Sequence, residues 1–99
     1  MSIRIEDVSA KLKLLERRLR DEFNVRSLHV FGSVARGDAR EASDLDILVE
    51  FEGPGKFAQF MDLKFLLEDE CGVRVDLVTK DALRPAMKAQ VLAEAKRVA

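Results

Sequence analysis

Apolar residues recur at three- and four-residue steps through the first part of the chain. Ile5, Val8, Leu12, Leu15, Leu19 and Phe23 trace the stripe of one amphipathic helix. Asn24 suits its stop, and Lys11, Lys13, Arg17, Arg18 and Arg20 fall mostly off the stripe, as a solvated face would. Residues 27–31 are a short β-favouring run that ends abruptly at Gly32. Residues 44–51 alternate, with Leu45, Ile47, Val49 and Phe51 facing one way and Asp44, Asp46, Leu48 and Glu50 the other. Gly53-Pro54-Gly55 is a turn. Residues 57–71 then carry a broad apolar face (Phe57, Phe60, Met61, Leu63, Leu67) before a stop glycine, Gly72, and predict a helix whose Phe57, Phe60 and Met61 belong to the core. Residues 73–78 alternate again, with Arg74, Asp76 and Val78 opposite Val73, Val75 and Leu77. A last helix carries Met87, Val91, Ala95 and Val98, with Pro85 in its first turn, where no intrahelical hydrogen bond is lost. Three strands alternating with helices predict an α/β (α+β) fold, a short mixed sheet of about three strands flanked by helices.

Length confines this pattern to a single domain spanning residues 1–99, with one core and no room for a second module. Seventeen basic and 18 acidic residues give a net charge of −1, so no global field draws the chain to nucleic acid. Without tryptophan or tyrosine, base stacking would fall to six phenylalanines, most of which read as core. The single cysteine, Cys71, excludes an internal disulfide framework and fits a reducing, cytoplasmic setting. Neither a signal-peptide core nor a run of membrane-spanning length is present in the sequence.

The candidate chemistry lies between Gly32 and Asp46, with one outlying partner. Asp44 and Asp46 are two apart on a strand and leave the same face. Two anions there need either water or a cation, because burial strips their hydration. Asp76 sits on the non-core face of another strand and completes a trio if the two strands are neighbours. Three carboxylates without a nearby histidine or thiolate make a hard, all-oxygen donor set that suits Mg²⁺, with Mn²⁺ also fitting, and not zinc. Two such ions about 3.5–4 Å apart are a device for phosphoryl chemistry. Gly32-Ser33 follows the first predicted strand, where a backbone without Cβ lets a phosphate approach and a helix N-terminus offers N–H groups. Arg36 either neutralises triphosphate oxygens or serves in an ion pair. The Walker A lysine and the dinucleotide G-x-G-x-x-G are both missing. His29 reads as a half-buried strand residue, Cys71 as packed, and Glu50 as a fourth acid or a solvated one.

Taken together, Gly32-Ser33-Val34-Ala35-Arg36-Gly37, five residues, then Ser43-Asp44-Leu45-Asp46-Ile47-Leu48-Val49, resembles the signature of the polymerase-beta-like nucleotidyltransferase superfamily. The shortness of the chain makes it similar to the minimal, MntA-like members. Val75-Asp76-Leu77-Val78 and Leu83-Arg84-Pro85 look like that family as well. The resemblance implies that Gly32, Ser33, Arg36 and Ser43 bind the nucleotide and that Asp44, Asp46 and Asp76 are catalytic and hold two Mg²⁺ ions. It further implies transfer of AMP from ATP to a hydroxyl, with pyrophosphate released. The implied acceptor is a tyrosine of a cognate HEPN ribonuclease toxin, which makes this chain the antitoxin of a type VII-like pair and leaves room for a hetero-oligomer. Two alternatives stand beside it: a small-molecule or RNA-end acceptor, and a non-catalytic antitoxin that acts by binding.

Overall fold

The computed structural model describes residues 3–40, 43–54 and 56–99. The N-terminal stripe forms two helices rather than one, α1 (Ile5–Leu14) and α2 (Glu16–Phe23). At Leu15 the backbone leaves helical geometry (φ −99°, ψ 1°), and its N–H donates to the Leu12 carbonyl three residues back, at 3.1 Å. The Leu15 carbonyl in turn accepts from Leu19 N–H at 2.8 Å. Val8, Leu12 and Leu19 stay buried on one side. The apolar period therefore survives the break, and no glycine or proline marks it. Asn24 ends α2 in the left-handed region at φ 54°, as its side chain tolerates.

The remaining elements are β1 (Val25–Phe31), the five-residue helix α3 (Gly32–Arg36), β2 (Leu45–Phe51), α4 (Phe57–Cys71), β3 (Val75–Thr79), a 3₁₀ turn (Lys80–Ala82), α5 (Pro85–Glu94) and β4 (Lys96–Arg97). They build a mixed sheet in the order β3-β2-β1-β4. β1 runs antiparallel to both β2 and β4, and β2 runs parallel to β3 with α4 as the crossover. The sheet thus has four strands, not about three. Val98, expected on the last helix, is 2% exposed in the main core, because the chain turns extended at Ala95 (φ −62°, ψ 132°) and Val98 N–H donates to the Leu28 carbonyl at 2.9 Å. A two-residue strand carries too little period to be told from a helix end.

One sheet face (Leu28, Val30, Leu45, Ile47, Val49, Val75, Leu77) packs against Val8, Leu12, Leu19, Leu63, Leu67 and Cys71 of the helices. The alternating residues, among them His29, Phe31, Asp46, Leu48, Glu50, Asp76 and Val78, face the other side. There α5 touches β1 and α3. Leu48 and Val91 are buried outside the main core cluster. The α4 expectation holds in part. Phe60 packs against the core, but Phe57 is 79% and Phe65 52% exposed. Apolar residues occupy more than one side of that helix, and the sheet can cover one. Among the described residues no helix is long and apolar enough to cross a membrane.

β3 is positioned partly by charge. The Glu68 carboxylate on α4 accepts the Val75 N–H at 3.0 Å, and this hydrogen bond, with Lys64 nearby, holds the Glu68 carboxyl below its ordinary range. A depressed carboxyl contributes stability above its unfolded pKa that is lost as the pH falls through the folded value. Glu68→Gln should therefore lower the melting temperature at pH 7, and the difference from wild type should vanish near pH 3. Thermal melts at the two pH values read this out.

Candidate active site

β1 delivers the chain to Gly32, which opens α3 at φ +71°, a backbone conformation that side chains rarely adopt. A Cβ built on Gly32 would collide with Asp46 Oδ2, with Asp46 Cγ at 3.2 Å. The Asp46 carboxylate therefore lies directly against this glycine. The short helix is closed by Gly37 (φ +79°), whose N–H donates to Val34 O at 3.2 Å while Asp38 N–H donates to Ser33 O at 3.0 Å. This fixes Ser33, half-buried, beside the Gly32 turn.

β-pairing brings the acids together. Asp46 sits opposite Phe31, the residue before Gly32, and is the register partner of Asp76 on β3. Neighbouring strands are about 5 Å apart, so the two carboxylates leave adjacent points of one face. Asp44 is exposed just before β2, and Asp76 is exposed on β3, the edge strand. The half-buried Asp46 carboxyl is pushed up to about 6, first by desolvation, then by the charges of Asp76 and Asp44, with Arg36 opposing. An acid raised by two like charges marks a site short of positive charge. All-oxygen donors around such a deficit fit a divalent cation. Among the described residues no trio of His, Cys, Asp or Glu already stands in ligating geometry, so ligation would require exposed Asp44 and Asp76 to turn toward an ion.

The two other expected nucleotide contacts are engaged elsewhere. Arg36 Nη1 donates to both Glu94 oxygens, at 3.0 and 3.2 Å, and its Nε to Asp38 Oδ2 at 3.3 Å. Its ion-pair alternative is thus realised, and it ties α5 to α3. Ser43 closes the loop before β2, its Oγ accepting Arg40 N–H at 2.9 Å and its own N–H donating to Arg40 O at 2.9 Å. Glu94 escaped the sequence reading. It lies 58 residues from Arg36, and no local pattern joins them.

His29 is half-buried on β1 between Leu48 and Arg97, its Nδ1 buried with no hydrogen-bond partner among the described residues, and desolvation lowers its pKa. Burial raises the pKa of the Cys71 thiol, which is packed in the core. Glu50 is four residues along β2 from Asp46, about 13 Å, and joins no cluster with it. It lines a cleft of about 620 Å³ with Phe51, Pro54, Phe57, Phe60 and Lys80, at the opposite end of β2 and β3 from the acids.

Comparison with known proteins shows the family and the fold. The profile of the family described as "Nucleotidyltransferase domain" matches residues 12–98. The protein adenylyltransferase MntA of Thermococcus cleftensis is 42% identical over 90 residues, 91% of each chain. A solved structure described provisionally as a minimal nucleotidyltransferase is 42% identical, covers 95% of both chains and superposes with a TM-score of 0.75. A tri-AMPylated Shewanella oneidensis HEPN toxin in complex with an MNT antitoxin contains a chain sharing the fold at 20% identity, TM-score 0.66, over 98% of this chain and 72% of that one. The chain is a nucleotidyltransferase and belongs to the nucleotidyltransferase domain family, as a minimal, MntA-like member of the polymerase-beta-like superfamily.

Proposed function

We propose that this chain transfers AMP from ATP to a tyrosine hydroxyl of a HEPN-type ribonuclease toxin and so acts as that toxin's antitoxin. The observation that carries the reading is Asp46, lying against the Gly32 turn and in register with Asp76, with the Asp44 charge near enough to act on it. The adenylyltransferase relative supports AMP as the group transferred, and the toxin–antitoxin complex of the same fold supports the partner.

Asp44, Asp46 and Asp76 would hold divalent ions, Mg²⁺ by donor chemistry. When bound, these would neutralise the carboxylates and polarise the reacting phosphate. The chain's own groups do the rest. Gly32 admits the triphosphate close to the backbone, and Ser33 offers hydroxyl and amide donors to its oxygens. Asp76, exposed on the edge strand, is open to an incoming hydroxyl and accepts its proton. The acceptor oxygen bonds to the α-phosphorus, the α–β bridging bond breaks, and pyrophosphate leaves. Positioning and charge stabilisation account for the rate more than covalent chemistry does. Arg36, engaged with Glu94 and Asp38, contributes to the nucleotide site by fixing α3 and by its charge near Asp46. Ser43 contributes by shaping the loop that carries Asp44.

The test is incorporation of α-labelled ATP, with Mg²⁺, into a helical toxin encoded beside this chain. Label recovered as AMP-tyrosine can come only from the partner, since this sequence has no tyrosine. Label found in RNA or a small molecule, or toxin neutralised without label, overturns the reading.

A further inference from the structure

Glu94 is the last residue of α5, where local physics gives no reason for an acid. The carbonyl end of a helix disfavours an anion, and no basic residue stands in that last turn. Its partner comes from 58 residues away in the chain: Arg36 Nη1 donates to both carboxylate oxygens. Gln90 Nε2, one turn earlier on α5, donates to Glu94 Oε1 at 3.2 Å and so orients the carboxylate. The Glu94 side chain is only 20% exposed.

The Arg36 guanidinium is gripped at two of its three nitrogens. Glu94 takes Nη1 and Asp38 takes Nε, whereas Nη2, with two N–H donors, has no hydrogen-bond partner among the described residues. Ser33 and Arg36 are three apart on α3 and so share a side, about 4.5 Å apart along the helix axis. The Arg36 charge also acts on Asp46. A guanidinium fixed in this way has lost its side-chain freedom before any ligand arrives, and an anion that binds it no longer meets that ordering cost. Two carboxylates against one guanidinium leave an excess of negative charge, which by itself repels a polyphosphate. What the pair supplies is therefore a direction for Nη2, not a field.

We propose that Glu94 is a positioning residue for the nucleotide, which by holding Arg36 Nη1 presents Nη2 to a triphosphate lying on the Gly32-Ser33 turn. The C-terminal helix is thus part of the nucleotide site although it touches no nucleotide. The assignment rests on the binding of ATP at that turn, as proposed above, and not on the identity of the acceptor.

Calorimetric binding of a non-hydrolysable ATP analogue with Mg²⁺, in the absence of any acceptor and well below the melting temperature of each variant, tests it. Glu94→Gln should raise the Kd about 10-fold, the worth of a hydrogen bond to a charged group. In the transfer assay KM for ATP should rise by the same factor while kcat falls less than about 3-fold, as expected for lost ground-state binding. Arg36→Met should cost at least as much, and Glu94→Gln added to it should cost nothing further, because the carboxylate acts only through the guanidinium. Glu94→Asp keeps the charge but draws the oxygens back by one methylene, so it too should weaken binding, which a purely electrostatic role would not produce. Unchanged or tighter binding by Glu94→Gln, with charge relief outweighing direction, overturns the proposal. So does wild-type affinity in Glu94→Asp, or an equal loss from Glu94→Gln with and without Arg36. A wild type that binds no ATP overturns it together with the nucleotide chemistry on which it rests.

Discussion

Asp46→Asn should nearly abolish nucleotidyl transfer and at the same time make the metal-free protein more stable. The loss of transfer follows from removing the carboxylate that sits at the centre of the trio, between the Gly32 turn and Asp76. Removal of one well-placed electrostatic group costs about 10²–10³ in rate, and this group also holds charge for the site. The gain in stability follows from its pKa. Asp46 rises from 3.8 to about 6 in the fold, so the native state holds its proton more tightly than the unfolded chain does. Stability is thus lost as the pH climbs from about 4 through about 6, and the ionised carboxylate burdens the fold above that range. The neutral amide escapes the burden. Because Asp46 is only half-buried, solvent screening leaves a gain of about 1 kcal/mol, or about 4–8 °C in melting temperature for a domain of this size. Melts of wild type and variant should diverge at pH 7–8 and converge below pH 4. Mg²⁺ should raise the wild-type melting temperature and close the gap. A variant that transfers AMP at the wild-type rate would refute the role given to Asp46; one less stable than wild type at pH 8 would refute the charge argument alone.

Gly32→Ala should lower activity and stability together, which separates it from the first variant. The new methyl meets Asp46 Oδ2 within its van der Waals radius, and φ +71° adds backbone strain. Either the carboxylate turns away or the strand–helix turn opens. Displacement of a reacting group by about 1 Å is worth about 10²-fold in rate, and the strained, crowded turn about 1–3 kcal/mol in stability. Gly37→Ala is the matched control. Its φ is also positive, at +79°, but a Cβ there meets nothing within 4 Å. It should lose stability through strain while keeping most of the transfer rate. Equal activity losses in both glycine variants would mean that the contact with Asp46 is unimportant and that α3 simply needs its two bends.

The site was readable in advance to the extent that its residues cluster in sequence. Gly32, Ser33, Asp44 and Asp46 lie within 15 residues, and β alternation predicts that the two acids share a face; in the structure Asp46 is on β2 and Asp44 just before it. Asp76 was readable as a strand residue on a polar face, but its partnership with Asp46 depends on β3 lying beside β2. The half-burial of Phe60 and the exposure of Phe57 depend similarly on which side of α4 meets the sheet.

Local periodicity determined the strands β1 to β3, the helices and their glycine and asparagine stops, because side-chain direction follows from backbone geometry within a few residues. It could not determine the split at Leu15, where the apolar period runs on unchanged, or β4, whose two residues earn their strand geometry from hydrogen bonds to β1. Nor could it decide whether Arg36 is free or held, since Glu94 reaches it only when α5 folds back over α3. The sequence by itself specified which groups are chemically able to act. The tertiary structure decided which of them meet, because charge pairing, desolvation and edge pairing depend on neighbours in space and not along the chain.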